Sequence, residues 1–289
     1  MEPTILYHYC SNLAFHSILA QKKVRLSLLS MSNDSKEGQH IIDAAARVLP
    51  NSFKHKRDAL EQLQQVISLI SAIGFCLSAD GDVLSQWRGY ADNAQGVAIG
   101  FDFTAMDEAA EQDTNDEIIV RLTPILYDEH ILMQIMEPDL QPVIEHFTKG
   151  KMRKPLVDTI LSPMTDEEKE KETERYKKAI DELGYMLMKI ANYAFMVKAP
   201  FFQEEKEWRI AALLTNLGEA LVLPNAQFQP SAEKLKPFRD FPLQGFPPSV
   251  IREIVLGPRN QTPNQVVRLY LDSQGFQHVS VRRSVGSYR

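Results

Sequence analysis

Residues 201–214 read FFQEEKEWRIAALL, and from Glu205 onward charged and apolar residues alternate. Successive side chains of a β-strand point to opposite faces. Glu205, Glu207 and Arg209 therefore share one face, and Lys206, Trp208 and Ile210 share the other. Two carboxylates so placed stand roughly 7 Å apart, from a rise of about 3.3 Å per residue. Such a row is either a solvated edge stapled by Arg209 or the floor of a site, with Trp208 anchoring its back in the core.

Working outward, strands lie on both sides of this one. TILYHYC is a first strand, and Ser11 is the N-cap of a short helix, NLAFHSILAQ, whose apolar side is Leu13, Ile18 and Leu19. KVRLSLL alternates as a second strand, and SMSNDSKEGQ is turn chemistry. A helical stretch from Gly38 to Ala72, broken at Pro50, precedes the strand-length runs AIGFCLSA and GVAIGFDF. EIIVRLTPILYD is a strand broken at Pro124, and residues 128–197 are mostly helical.

Within that helical region Thr165 and Glu168 have capping-box spacing. Tyr176, Ile180, Leu183, Leu187, Ile190, Tyr193 and Val197 recur every three or four residues as a core-facing stripe. EALVLP is a short strand, and a Pro- and Phe-rich connection runs from Pro224 to Pro248. SVIREIVLGP is a strand, Thr262 and Pro263 start a helix that Gly275 ends, and QHVSVRRS is the last strand. The class is α+β, with a mixed or antiparallel central sheet in a single domain over 1–289 and a mainly helical insertion over 128–197.

The chain has 289 residues, 44% hydrophobic and 24% charged, enough to bury a core. A net charge of -6 disfavours a broad basic footprint for nucleic acid, although Arg282, Arg283 and Arg289 cluster near the end. No apolar stretch approaches the ~20 residues of a membrane span, and MEPTILYHYC does not read as a signal peptide. Two cysteines, Cys10 and Cys76, in apolar runs support neither a disulfide framework nor a zinc site. The expected setting is a reducing cytoplasm, without a membrane partner.

Catalytic signatures built on Gly-rich loops, paired His or Cys–x–x–Cys spacing are absent from the sequence. The carboxylates remain, with a few polar residues in apolar settings. His8, between Tyr7 and Tyr9, reads either as a satisfied core histidine or as a hydrogen-bonding group lining a pocket. SQWRGYAD offers hydrogen bonds from Gln86, Arg88, Tyr90 and Asp92 beside the planar Trp87, and Arg with Trp suits a ligand carrying phosphate and a stackable ring. It reads equally as an aromatic knot in which Arg88 pairs with Asp92 or a glutamate. NDSKEG reads as an Asx-turn with Asn33 capping a helix, unless it stands at a pocket.

The blocks LYHYCS, RLSLLSMSNDSKEG, FCLSADGDVLSQWRGYADNAQGVAIGFD, FFQEEKEWRI, IREIVLGP and VSVRRSVGSYR occur in that order. Together they resemble bacterial domain-of-unknown-function family 2971 (DUF2971), over nearly the whole chain. The layout is in turn similar to the ADP-ribosyltransferase superfamily. That resemblance implies an NAD site in which His8 holds the ribose, Ser27 or Ser30 takes the second-strand position, and Glu207 or Glu205 is the catalytic carboxylate.

The implied substrate is NAD, with no metal. Tyr9, Asn33, Asp34, Trp87, Tyr90 and Arg209 join His8 and Ser27 around it, and Arg88 holds the pyrophosphate. The implied reaction cleaves the nicotinamide–ribose bond and passes ADP-ribose to an unidentified acceptor, as in a toxin or phage-defence effector. Two other functions stay open. One is a non-catalytic sensor binding a nucleotide or phosphorylated ligand in the same pocket; the other is nucleic-acid binding through Arg282, Arg283 and Arg289.

Overall fold

The structure, a computed structural model, describes residues 3–31, 39–113, 118–154, 164–217, 220–230, 233–243 and 248–286. Asn33, Asp34 and Arg289 lie outside them. In chain order the elements are β1 (Ile5–Cys10), α1 (Asn12–Gln21), β2 (Lys23–Leu28), α2 (Gln39–Val48), α3 (Lys56–Ser68) and β3 (Ile70–Ser78). Then come α4 (Leu84–Tyr90), β4 (Val97–Asp102), α5 (Phe103–Gln112), β5 (Val120–Pro124), α6 (Glu129–Thr148) and α7 (Asp166–Ala191). The chain finishes with β6 (Glu207–Leu217), β7 (Ala220–Leu221), β8 (Gln227–Pro230), β9 (Leu235–Pro242), β10 (Ile251–Leu256), α8 (Asn264–Ser273) and β11 (Ser280–Arg283). The class is α+β, and the sheet is mixed: β10 and β11 run parallel, while β1–β4, β2–β9 and β5–β6 are antiparallel.

Two compact units divide the chain. One takes Met1–Ser35, Ser71–Tyr127 and Lys198–Arg289; the other takes Lys36–Ile70 and Asp128–Val197. The first holds the sheet, ordered β11-β10-β4-β1-β3-β2-β9-β8. β6 joins it at β3 and carries β5 and β7, so the sheet forks at β3. Leu6, Leu26, Ile73, Ile99, Phe101, Ile210 and Ile254 are fully buried in one core cluster on this sheet. Pairing β5 to β6 sets Leu122 opposite Ile210 and ends at Pro124 opposite Trp208, which suits a residue with no N–H for a further rung.

Local chemistry explains the connections. Ser11 Oγ accepts from Ala14 N at 3.2 Å and caps α1, and Lys22, at φ 50°, turns the chain into β2. Leu13 is 79% exposed, contrary to expectation; Phe15, Ile18 and Leu19 face the core, because i, i+3 and i+4 form one stripe and Leu13 falls outside it. The connection expected over 224–248 holds β8 and β9 instead, with Pro230 and Pro242 at the strand ends, where a missing donor is tolerated. α8 starts at Asn264 with Pro263 as the extended cap, one position later than the sequence suggested. Gly96 has no substitute: a Cβ there would lie 2.0 Å from the Cys10 carbonyl oxygen.

The second unit is built from α2, α3, α6 and α7, with Pro50 falling between the first two. Thr165 and Glu168 form the expected capping box at the start of α7. Leu183, Leu187 and Ile190 are buried along α7, whereas Ile180 is 42% exposed and Ala179 takes the inward position beside it.

Candidate functional site

The sheet fork frames a cavity of about 410 Å³, wholly inside the first unit. β1 brings His8 to it, β3 brings Cys76, α4 brings Gln86 and Tyr90, and β6 brings Glu207 and Arg209. The segment before β6 adds Lys198, Phe202 and Glu205, and β9 adds Lys236.

Glu205 and Glu207 reach this cavity differently from the sequence expectation. β6 begins at Glu207, and Glu205 closes a 3-10 turn over Pro200–Glu205. Lys206 between them is left-handed at φ 43°, which reverses the chain and brings both carboxylates to one lysine. The start of β6 is fixed on its backbone: Glu207 N donates to Tyr127 Oη at 2.8 Å, and Ile125 N donates to the Glu207 carbonyl at 2.9 Å. Ser78 Oγ donates to the Glu205 carbonyl at 2.7 Å.

Lys198 is the residue that sequence reasoning did not find. Its Nζ stands 2.6 Å from Glu205 Oε2 and 2.8 Å from Glu207 Oε2, and all three side chains are at least nine-tenths buried. Lys198 N donates to the Leu126 carbonyl at 3.0 Å, which fixes its backbone. Only its apolar neighbours in VKAPFF hinted at burial, because a lysine buries its ammonium only where carboxylates meet it.

Arg209 Nε is 2.7 Å from Glu207 Oε1. Burial alone pushes the Glu207 carboxyl up, but Arg209 and Lys198 outweigh it and hold it below the usual range. For Lys198 the two glutamates outweigh burial and keep the ammonium charged. These four side chains form a buried cluster of balanced charge.

The remaining walls are polar but mostly neutral. The His8 ring stacks on Phe75 with centroids 4.2 Å apart, and its Nδ1 donates to the Cys76 carbonyl at 2.9 Å. A carbonyl only accepts, so Nδ1 carries the proton and Nε2 is an acceptor. Burial lowers His8 to about 4, against the Cys76 hydrogen bond, and the ring is neutral at pH 7. Tyr90, 40% exposed, donates to Glu205 Oε1 at 3.2 Å. Burial and the neighbouring Glu205 push its hydroxyl up to about 12, so it stays protonated. Burial likewise raises Cys76, leaving it a thiol.

Several expected site residues stand elsewhere. Trp87 is 1% exposed, packs edge-on against Tyr9 and donates Nε1 to Asp82 Oδ1 at 2.7 Å; with no free face it is no stacking surface. Tyr9 lines the cavity, but its hydroxyl bridges the Asp80 carbonyl and Val83 N, each at 2.9 Å. Arg88 is exposed and does not line the cavity: two residues after Gln86 it is rotated by about 200° around the helix, away from that wall. Ser27 sits in the β2 ladder opposite Gly74 and Phe238 and is not a lining residue. Trp208 packs against the core, edge-on to Phe103.

The α4 wall is held from the far end of the chain. Asp82 accepts from Ser284 Oγ at 2.5 Å and Val285 N at 2.8 Å as well as from Trp87. These three donors outweigh burial and keep Asp82 ionised below its ordinary range. Arg282 pairs with Glu253 at 2.9 Å, and Arg283 donates to the Asn260 carbonyl at 2.8 Å. Both are thus tied into the fold rather than presented together as a basic patch.

Among the described residues, no group of three or more His, Cys, Asp or Glu is placed to hold a metal ion, and no helix is long and apolar enough to cross a membrane. No curated protein and no solved structure matches the chain. Residues 86–210, a span that holds Gln86 on the α4 wall and Glu207 and Arg209 on the cavity floor, match the family model Protein of unknown function (DUF2971).

Proposed function

We propose that the cavity cleaves NAD at the nicotinamide–ribose bond in the manner of an ADP-ribosyltransferase. The observation that carries this reading is the convergence of a neutral His8 and the Glu205–Glu207 pair on one cavity. Its volume, about 410 Å³, lies toward the small end of the roughly 300–1,000 Å³ common for ligand sites. It suits the nicotinamide–ribose end of a dinucleotide better than the whole.

When the bond breaks, its electron pair leaves with the nicotinamide nitrogen and positive charge develops on the ribose. A fixed carboxylate stabilises that charge best where water is excluded. Glu207 has one oxygen on Arg209 and the other on Lys198, so it acts as a fixed negative charge. Glu205 Oε1 meets only the Tyr90 hydroxyl among its described partners, at 3.2 Å. A ribose hydroxyl that displaces Tyr90 binds there, and Glu205 is the carboxylate in contact with substrate. His8 Nε2, as an acceptor, takes a second ribose hydroxyl. The acceptor nucleophile then forms the new bond to ribose C1′ and passes its proton to a carboxylate. Water as acceptor makes the enzyme a glycohydrolase; a macromolecule makes it a transferase, the chemistry of a toxin or phage-defence effector.

A second reading has its own observation in favour. Because Lys198, Arg209 and Tyr90 already engage both carboxylates, the same cavity suits a nucleotide sensor that binds without turnover. Nicotinamide release from NAD separates the two. Release by wild type, with cell lysate supplied as acceptor, that is lost in folded Glu205→Gln establishes cleavage. Binding of NAD with no release, tolerant of Glu205→Gln, establishes the sensor.

A further inference from the structure

The cavity carries an excess cation. Three cationic side chains, Lys198, Arg209 and Lys236, line it against two carboxylates, Glu205 and Glu207. Lys198 and Arg209 are spent on those carboxylates at 2.6–2.8 Å. Lys236 has no carboxylate partner among the described residues.

Its neighbours make this unusual. Lys23, on the adjoining strand β2, pairs with Asp240 at 2.7 Å, and Arg239, three residues beyond Lys236 on β9, makes a bidentate pair with Asp113 at 2.8 Å. Arg25 lies over the Phe238 ring at 4.5 Å and donates to Gln229, the residue opposite Lys236 on β8. Lys234 donates to the carbonyl of Met31, another lining residue. Each of these nearby cations is therefore committed, and Lys236 stands half-buried at the cavity with no counter-charge among the described residues. The ammonium of a half-buried lysine beside a cavity is stabilised by an anion bound there.

We infer that Lys236 binds a phosphate of the cavity's ligand, and so fills the role that the sequence suggested for Arg88. The inference rests on the cavity being a nucleotide site, but not on its being catalytic. Lys236 on β9 and the Glu205–Glu207 pair before and on β6 come from different strands of the forked sheet. The ligand is then read as a phosphorylated riboside: ribose on the carboxylate and His8 side, phosphate on Lys236.

The test is calorimetric binding of nicotinamide mononucleotide, ADP-ribose and the phosphate-free nicotinamide riboside to the full chain. Wild type is compared with Lys236→Met and Lys236→Arg. Lys236→Met should weaken the two phosphorylated ligands about tenfold or more, as expected for losing one charge-assisted hydrogen bond worth about 1.5–3 kcal/mol. It should leave nicotinamide riboside within about twofold, and Lys236→Arg should restore most of the loss. Equal weakening of riboside and mononucleotide, or none for either, overturns the assignment, as does failure of wild type to prefer the phosphorylated ligand. Nicotinamide release by the same proteins is read separately. Absence of release together with the phosphate-selective loss discards cleavage and keeps Lys236; release with unselective binding does the reverse.

Discussion

Replacing Lys198 by methionine removes the one cation shared by both glutamates while keeping a side chain of similar length. In the parent, Nζ sits 2.6 Å from Glu205 and 2.8 Å from Glu207, with side-chain exposures of 7%, 10% and 6% for Lys198, Glu205 and Glu207. Removing one partner of a buried ion pair costs about 3–5 kcal/mol, because the other charge is left without compensation. Glu207 keeps Arg209 at 2.7 Å, so the uncompensated charge is mainly that of Glu205, whose side chain retains the Tyr90 hydroxyl among the described residues.

A loss of about 3 kcal/mol at pH 7 follows, from the low end of that range. Such a loss is a large share of a typical total of about 5–15 kcal/mol. The pH dependence has a fixed sign. In the parent, Glu207 is depressed below its ordinary 4.5, so its contribution is present above 4.5 and is lost as pH falls through the folded value. In Lys198→Met the carboxylates accept protons more readily in the fold, which relieves the buried charge. The two stability curves therefore converge as pH drops below about 4.5.

Urea unfolding followed by tryptophan fluorescence at pH 7 and pH 4 measures this directly. Adding Glu205→Gln to Lys198→Met should recover part of the loss, since it removes the stranded charge. A destabilisation below about 1 kcal/mol at pH 7, or one equal at both pH values, would refute the compensated-cluster account.

Two further outcomes follow from the same geometry. Gly96→Ala puts a Cβ 2.0 Å from the Cys10 carbonyl oxygen, and backbone rather than a movable side chain is in the way. It should cost about 3 kcal/mol or more or prevent folding, and a thermal melt close to wild type would show the β1–β4 junction to be looser than described. The His8 imidazole should stay neutral in NMR titration down to near its folded value of about 4. Between 6.5 and that value only the unfolded chain gains the proton, so stability falls with acid by about 1.4 kcal/mol per pH unit for this group, and His8→Phe should remove that portion. An ordinary titration near 6.5 would sink both statements.

The strands that alternate plainly were legible from sequence, as were the caps at Ser11 and Thr165, because these features depend on near neighbours. β8 and β9 were not, since Pro230, Pro237 and Pro242 dominate their composition and only the partner strand β2 makes Phe238 and Phe241 core residues. Leu13 and Ile180 show that three-to-four spacing marks a stripe without fixing its edges. At the site, Glu207 and Arg209 share a strand face because alternation is local. Lys198 and Lys236 were not visible, because each acquires its meaning from residues on other elements. Arg88 and Trp87 misled for a related reason: residues suited to phosphate and rings were read as ligand-facing, but helix phase decides which of them reach the cavity.

The clasp on Asp82 has a temporal consequence. Its partners Ser284 and Val285 follow it by 202 and 203 residues. At synthesis rates of about 5–20 residues per second, the interval between them is about 10–40 s. Throughout it, the loop before α4 lacks its last tether, and the helix that delivers Gln86 and Tyr90 has not been locked down. β10, the neighbour of β4, is also still missing for most of that time. A nascent chain on the ribosome therefore carries both glutamates well before the α4 wall of the cavity is fastened at Asp82.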